Sequence, residues 1–381
     1  MRVLYIAHSF SRGGAQKCLF DLVSKSKCKE IECYVIGPET GPGLNDYINL
    51  SIHAASLNLS SIFITKARLS KVRRCAKLLY DTYKIKRVID KYKPDVVYTN
   101  TSTIMSGALA ARINKIPHIW HIHENFNTFE LNYILPKKLL SYLVEKLSTS
   151  IIFVSSLARH SLFPEGSPKA IVIHNGVVIS TFKKNIQDFG KRERTYNIGF
   201  FGTLAHRKGI DILLTSVSLI YKKYPQMHVF LWGTGEQEYC EYLKSLAESL
   251  ELSDCVMFRG YTSNMDDALL ECDVVVVPSR AESFSLVTVE AMMAGIPVVV
   301  SRCGGPEEIV DDRIDGRIVS VGDHENLAEV LDELFANPDV AYEIAQKAVE
   351  KVKNHFSLDK KLEEIINVIF NASEMKSRKI Y

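Results

Sequence analysis

The chain has 381 residues, 46% of them hydrophobic and 24% charged, with a formal net charge of +3. This is the balance of a soluble globular protein too long for a single core, so two domains of about 180 residues are expected. The small net charge gives no ground for a nucleic-acid partner, and no apolar run approaches the ~18 residues of a membrane span.

The eight cysteines show no Cys-x-x-Cys and no close pairing. They read as buried thiols in a reducing, cytoplasmic compartment, not as a disulfide framework or a zinc site. Residues 2–7 are the first predicted strand, which explains the apolar run at 1–8 better than a signal peptide does, since no basic leader or cleavage site accompanies it. The loop from His8 to Gly14 follows, then a helix over 15–24. A glycine pair, Gly13 and Gly14, between strand and helix lets the backbone pass close to an anion, or simply makes a tight turn. It is not a dinucleotide fingerprint, because Gly-x-Gly-x-x-Gly is absent here and at Gly233–Gly235.

A strand over 31–36 leads into a loop holding Gly37, Pro38, Gly41, Pro42 and Gly43. Between Lys66 and Lys93 eleven Lys and Arg residues face only Asp81 and Asp90, with Leu69, Val72, Leu78, Leu79, Ile85, Val88 and Ile89 interleaved at helical spacing. Two readings stay open: a solvated helix face packed on the sheet, or peripheral contact with an anionic membrane. Strands over 95–99 and 117–123 flank a helix over 106–114, and alternation sends His121 and His123 to one face. His118 is expected to be structural. A metal site at His-x-His lacks any further ligand set at suitable spacing, and none is expected. Residues 126–147, mixing aromatics, Leu and Lys, are a second candidate for membrane or acceptor contact. Strands at 151–154 and 170–173 precede a polar stretch over 180–195 that reads as an interdomain link.

The second half restarts with a strand over 196–201, a Leu204–Gly209 loop carrying Arg207 and Lys208, and a helix over 210–221. Strand 227–232, helix 238–249 and strand 256–258 follow, the last running into Gly260 and Tyr261. Asp273–Val277 is a strand buried on both faces; a loop carries Glu282, and a helix starts near Ser285 and runs through Glu290 to Gly295. Another strand at 298–300 completes a βαβ unit whose loop lies at the carboxyl end of the sheet, where such folds hold ligands. The amides of Ser283, Phe284, Ser285 and Leu286 have no helical partner and form a seat for phosphate. Glu282 and Glu290 are placed to accept hydrogen bonds from sugar hydroxyls; for either alone, support of the helix dipole or simple solvation is the plainer reading. Three helices follow, over 326–335, 338–352 and 358–370.

The run PSRAESFSLVTVEAMMAGIPVVVS, followed by GGPEEIV and Asp315-Gly316, resembles the donor-site signature of retaining GT-B glycosyltransferases of family four. The resemblance implies an α/β fold of two Rossmann-like domains facing a cleft: 1–176 binding the acceptor, a linker at 177–195, 196–355 binding the donor, and 356–381 packing back toward the first domain. It implies transfer of a hexose-type sugar from a nucleotide-diphosphate sugar to a glycan or lipid-linked glycan acceptor; a cytoplasmic location is expected, with peripheral attachment at the inner face of the membrane left open by the basic stretch. No cofactor or metal is implied, and the chain contains no Asp-x-Asp. By the same resemblance Gly13 and Gly14 face the donor phosphates, His123 is the active-site histidine, and Lys208 binds the diphosphate. Gly260 and Tyr261 would hold the base, Glu290 ribose or sugar hydroxyls, and Glu282 the transferred sugar. The chain departs from many relatives in having Ser283 and Ser285 for glycines, Thr203 for an arginine, and Val178 for an acid. Arg207 is expected to replace the missing arginine on the diphosphate. A nucleotide-sugar epimerase and a catalytically silent partner subunit are the competing expectations.

Overall fold

Runs such as Val-Val-Tyr-Thr and Val-Val-Val-Val carry no polar alternation, which suits strands buried on both faces of a parallel sheet. The structure, a computed structural model, describes residues 1–11, 13–59, 71–127, 135–179 and 195–378. Outside the described residues lie 66–70 of the basic stretch with the side chains of Lys71, Val72 and Arg74, residues 128–134 of the second contact segment, and 180–194 of the linker.

The first sheet has seven strands: β1 (Arg2–Ile6), β2 (Glu32–Gly37), β3 (His53–Ser56), β4 (Val96–Thr99), β5 (His118–Ile122), β6 (Ser150–Phe153) and β7 (Ala170–Val172). They are parallel and ordered β3-β2-β1-β4-β5-β6-β7. Helices α1 (Gly14–Cys28), α2 (Pro42–Asn49), α3 (Lys71–Tyr92), α4 (Met105–Ile113), α5 (Lys137–Leu147) and α6 (Ser156–Leu162) connect them. One correction concerns α2. Gly41 and Pro42, expected in a loop, instead start this helix, with Gly41 as N-cap and Pro42 at its first position, where the missing N–H costs nothing.

The second sheet, ordered β10-β9-β8-β11-β12-β13, is built from β8 (Tyr196–Phe201), β9 (Met227–Trp232), β10 (Val256–Gly260), β11 (Val274–Val277), β12 (Val298–Ser301) and β13 (Arg317–Val319). Its pairings are also all parallel. Helices α7 (Ile210–Ile220), α8 (Gln237–Ser249), α9 (Met265–Leu270), α10 (Leu286–Met293), α11 (His324–Ala336) and α12 (Pro338–His355) complete it. Its core gathers Leu213 and Val217 of α7, Val229 and Leu231 of β9, and Leu327 and Leu331 of α11.

The last helix, α13 (Leu358–Arg378), belongs with the first sheet. The chain divides into Met1–Asn175 together with the segment from Asp359, and Gly176–Leu358. Ion pairs Lys25–Asp359 (2.5 Å) and Lys29–Glu363 (3.5 Å) join α13 to α1. In each sheet the strand order reverses once, between β1 and β4 and between β8 and β11. Ligands of open α/β sheets bind beyond the carboxyl ends at such a switch point. The segments leaving β1, β4, β8 and β11 hold most of the candidate residues.

Candidate functional site

In the second unit the site is assembled by two loops that lie far apart in sequence. β11 ends at Val277, and the chain passes through Pro278 and Ser279 to Arg280. The Arg280 N–H donates to Arg207 O (2.8 Å), and its guanidinium donates to His206 O (2.8 Å) and to both carboxylate oxygens of Asp211 (2.8 and 2.6 Å). A guanidinium fork on a carboxylate fixes orientation as well as distance. It clamps the short 3₁₀ turn His206–Lys208 to the β11 loop. Gly209 closes this turn in the left-handed region (φ 68°), and a Cβ there would lie 2.0 Å from Pro278 O. Any other residue would push the two loops apart.

That approach brings Lys208 Nζ and Glu282 Oε2 into an ion pair, their side chains only 16% and 15% exposed. Burial opposes the Glu282 charge, but Lys208 and then Arg207 outweigh it and hold the carboxyl below its ordinary value. Glu282 is therefore ionised at neutral pH. Nearby Cys303 is no nucleophile, since burial pushes its thiol up to about 12.

The chain after Glu282 is held by the Gly304–Gly305 turn. Glu282 and Gly304 form a parallel bridge, and a Cβ on Gly305 would lie 2.5 Å from Phe284 N. The Phe284 ring is buried, 6.0 Å from that of Phe356, so the side chain is closed to a ligand. Ser285 caps α10: its Oγ accepts from Thr288 N (3.4 Å) and pairs with Thr288 Oγ1 (2.8 Å). It does so with φ at 93°, a region costly for a residue with a Cβ. The serine for glycine at this position therefore has a physical consequence. Glu290 is half-buried one turn into α10, Gly260 is the last residue of β10, paired with Trp232, with φ 71° and open space where a Cβ would stand, and Tyr261 is 58% exposed.

In the first unit α1 begins at Gly14 with Gly13 as N-cap, no side-chain cap and no acid in its first turn. Gly13 is extended, and a Cβ there would meet only the flexible end of Gln16, so the fold itself does not demand glycine. His123 stands just past β5, with Nε2 3.0 Å from Asn100 Oδ1 at the end of β4. Its backbone N–H donates to Glu124 (3.1 Å), a carboxylate that also accepts from Thr101 Oγ1 (2.6 Å) and Ser102 N (3.2 Å). The His121 ring is 4.2 Å from that of His123 and pairs through Nδ1 with Tyr98 Oη (2.7 Å). His118 is fully enclosed against Thr99 Oγ1 (2.9 Å), and burial pushes it and His121 down to about 3. Among the described residues no group of three or more His, Cys, Asp or Glu is placed to hold a metal ion.

Residues 12–181 match glycosyltransferase family 4, and residues 181–355 match the glycosyl transferases group 1. The chain belongs to the family-four GT-B glycosyltransferases. A glycosyltransferase of Methanocaldococcus jannaschii is 28% identical over 76% of this chain and 78% of its own. The poly(ribitol-phosphate) α-N-acetylglucosaminyltransferase of Staphylococcus aureus is 26% identical over 67% of this chain and 50% of its own. Among solved structures, Anabaena HepE in complex with UDP-glucose superposes with a TM-score of 0.82 at 23% identity, covering 97% of this chain and 100% of that one, which shows the shared GT-B fold.

Of the site residues expected from sequence, Arg207, Lys208 and Glu282 are brought together, while Gly13 and Gly14 start α1 after β1 and His123 stands past β5 in contact with Asn100. Arg280 and Asp211, which make the two-loop clamp, were not among them; 69 residues separate the pair, and neither carries a local signal. The Ser285 geometry gives a stability prediction. Ser285→Gly relieves the positive φ and is expected to raise stability by about 1 kcal/mol, whereas Ser285→Ala keeps the strain, loses the cap and costs about 1 kcal/mol. Urea unfolding measures both, and a lower midpoint for the glycine variant would show that Ser285 is not strained.

Proposed function

We propose that the chain is a retaining transferase that moves a hexose-type sugar from a nucleotide-diphosphate sugar to a glycan or lipid-linked glycan acceptor. The observation that carries this reading is the enclosed Lys208–Glu282 pair beside Arg207 and the start of α10. A diphosphate brings about two negative charges, and a low-dielectric site must offset them with fixed cations and amides. Lys208 and Arg207 supply the charge, and the Ser283–Leu286 backbone the amides. Glu282, kept ionised by the same cations, accepts hydroxyl protons of the transferred sugar, and Glu290 those of ribose or sugar. Gly260 and Tyr261 border the base.

In this scheme the bond from the anomeric carbon to the β-phosphate oxygen breaks, and a bond to the acceptor oxygen forms on the same face. The departing phosphate oxygen takes the acceptor's proton, so no nucleophile on the far face and no metal is required. The 1–176 portion would bind the acceptor and the 196–355 portion the donor. The S. aureus relative, by its name a transferase to poly(ribitol-phosphate), supports a glycan-type acceptor, and the UDP-glucose complex of HepE supports a nucleotide-sugar donor.

Incubating the protein with labelled UDP-, GDP-, ADP- and dTDP-sugars tests the reaction. Slow donor hydrolysis or transfer with one of them is expected, whereas epimer formation, or no turnover of any, would replace this reading with one of its competitors. Arg207 has its own test. Arg207→Ala removes a charge-assisted contact of roughly 1.5–3 kcal/mol, so affinity for nucleoside diphosphate should fall tenfold or more relative to monophosphate. An unchanged ratio would take Arg207 off the diphosphate.

The acceptor side suggests attachment to an anionic membrane. α3 exposes Arg73, Lys77, Leu79, Tyr80, Tyr83 and Arg87, and α5 exposes Lys137, Lys138, Leu139, Tyr142 and Lys146. Lys84, counted in the basic stretch, is turned inward onto Asp81, Leu57 O and Asn58 O, so it does not contribute. Each remaining cation near an anionic surface adds on the order of 1 kcal/mol, weakened by salt. Sedimentation with anionic vesicles, but not neutral ones, is expected. Equal binding to both, or to neither, would return α3 and α5 to ordinary solvated faces.

A further inference from the structure

Asn100 sits where the ladder between β1 and β4 ends, its backbone N–H donating to Ile6 O (3.0 Å), and it is 1% exposed. Its side chain therefore has little freedom to move. The amide nitrogen Nδ2 donates to Ala15 O (2.9 Å), at the start of α1. A carbonyl oxygen only accepts, so the nitrogen end of the amide must face Ala15 and the oxygen end must face the other way. Oδ1 is also only an acceptor, and it lies 3.0 Å from His123 Nε2. The imidazole must then carry its proton on Nε2. Nδ1 has no hydrogen-bond partner among the described residues.

We propose that Asn100 is a positioning residue that holds neutral His123 as its Nε2–H tautomer, leaving the Nδ1 lone pair to accept a hydrogen bond from a sugar hydroxyl. This rests on the reading of His123 as a sugar-contacting residue. The relay runs from a backbone carbonyl through an amide to a ring, and each step is fixed by what its partner can chemically do. A second feature of the same cluster keeps the ring neutral. Burial first, then the neighbouring His121 and His8, hold His123 well below its ordinary value. Glu124, the one carboxylate in the cluster, engages the His123 backbone N–H and not its ring. A protonated ring would donate from both nitrogens and could not accept from a hydroxyl at all, so neutrality and tautomer serve the same end.

Long-range ¹H–¹⁵N correlation spectra of protein labelled at histidine nitrogens report the tautomer directly, with His123→Gln used to assign the signal. The wild-type protein is expected to show Nε2 protonated and Nδ1 bare; the opposite pattern overturns the proposal. This readout needs no turnover, so it stands whether or not the transferase reading holds. Asn100→Leu, which keeps the volume and removes the acceptor, should abolish the Nε2–H preference, and an unchanged pattern would rule out Asn100 as its cause. Asn100→Asp places a carboxylate against Nε2 and should raise the His123 titration midpoint by about one unit or more; an unmoved midpoint overturns the contact. If the midpoint rises, the acidic limb of turnover should shift upward with it. A raised midpoint with an unmoved limb would remove His123 from the sugar and leave the tautomer assignment in place.

Discussion

Enclosing the Glu282 carboxylate is unfavourable unless a cation accompanies it, and the geometry of the second unit's candidate site follows from that requirement. Lys208 can reach Glu282 only if the turn after β8 lies against the loop after β11. Two features enforce that approach: Gly209, which admits Pro278 O where a side chain would stand, and the Arg280 fork on Asp211. Neither touches Glu282. The ion pair is thus a product of backbone packing, and it leaves a charged carboxylate at the edge of the sheet without a large exposed side chain to hold it.

Much of the architecture could be read from the sequence because its strands are unmixed apolar runs bounded by Gly, Pro or Asp. Val274–Val277 and Val96–Thr99 are the clearest, and no helical period competes in either. The elements that escaped are short or compositionally plain. β3 is His-Ala-Ala-Ser, β13 has three residues, and α9 has six, fewer than two turns. α2 was hidden for a different reason: Pro and Gly usually mark a turn, and here Pro42 marks a helix start.

The site was legible to a different depth. A loop with a carboxylate before a helix N-terminus is a local pattern, and it led to Glu282 and Ser283–Leu286. The contacts that set the local chemistry are non-local. Asn100 is 23 residues from His123, and Arg280 is 69 from Asp211, so spacing alone could not join them. Nor did the pattern reveal that Lys208 and Glu282, expected to engage different parts of one donor, neutralise each other.

That mutual neutralisation changes the meaning of the departure at Thr203. Had Lys208 been unpaired, loss of an arginine at position 203 would leave one cation facing the diphosphate. With Glu282 bound to it, the Lys208 charge is already offset in part, and the pair contributes a dipole more than a net charge. Arg207 belongs to the same turn and acts on Glu282 electrostatically, so the three groups together carry one net positive charge. A diphosphate approaching α10 would draw Lys208 toward itself and loosen its hold on Glu282. That carboxylate would then seek new donors, and the hydroxyls of the sugar being transferred are of the right kind. Under the proposed function Arg207 would set the net charge of the seat, while the Lys208–Glu282 pair would make occupancy by phosphate and occupancy by sugar favour one another.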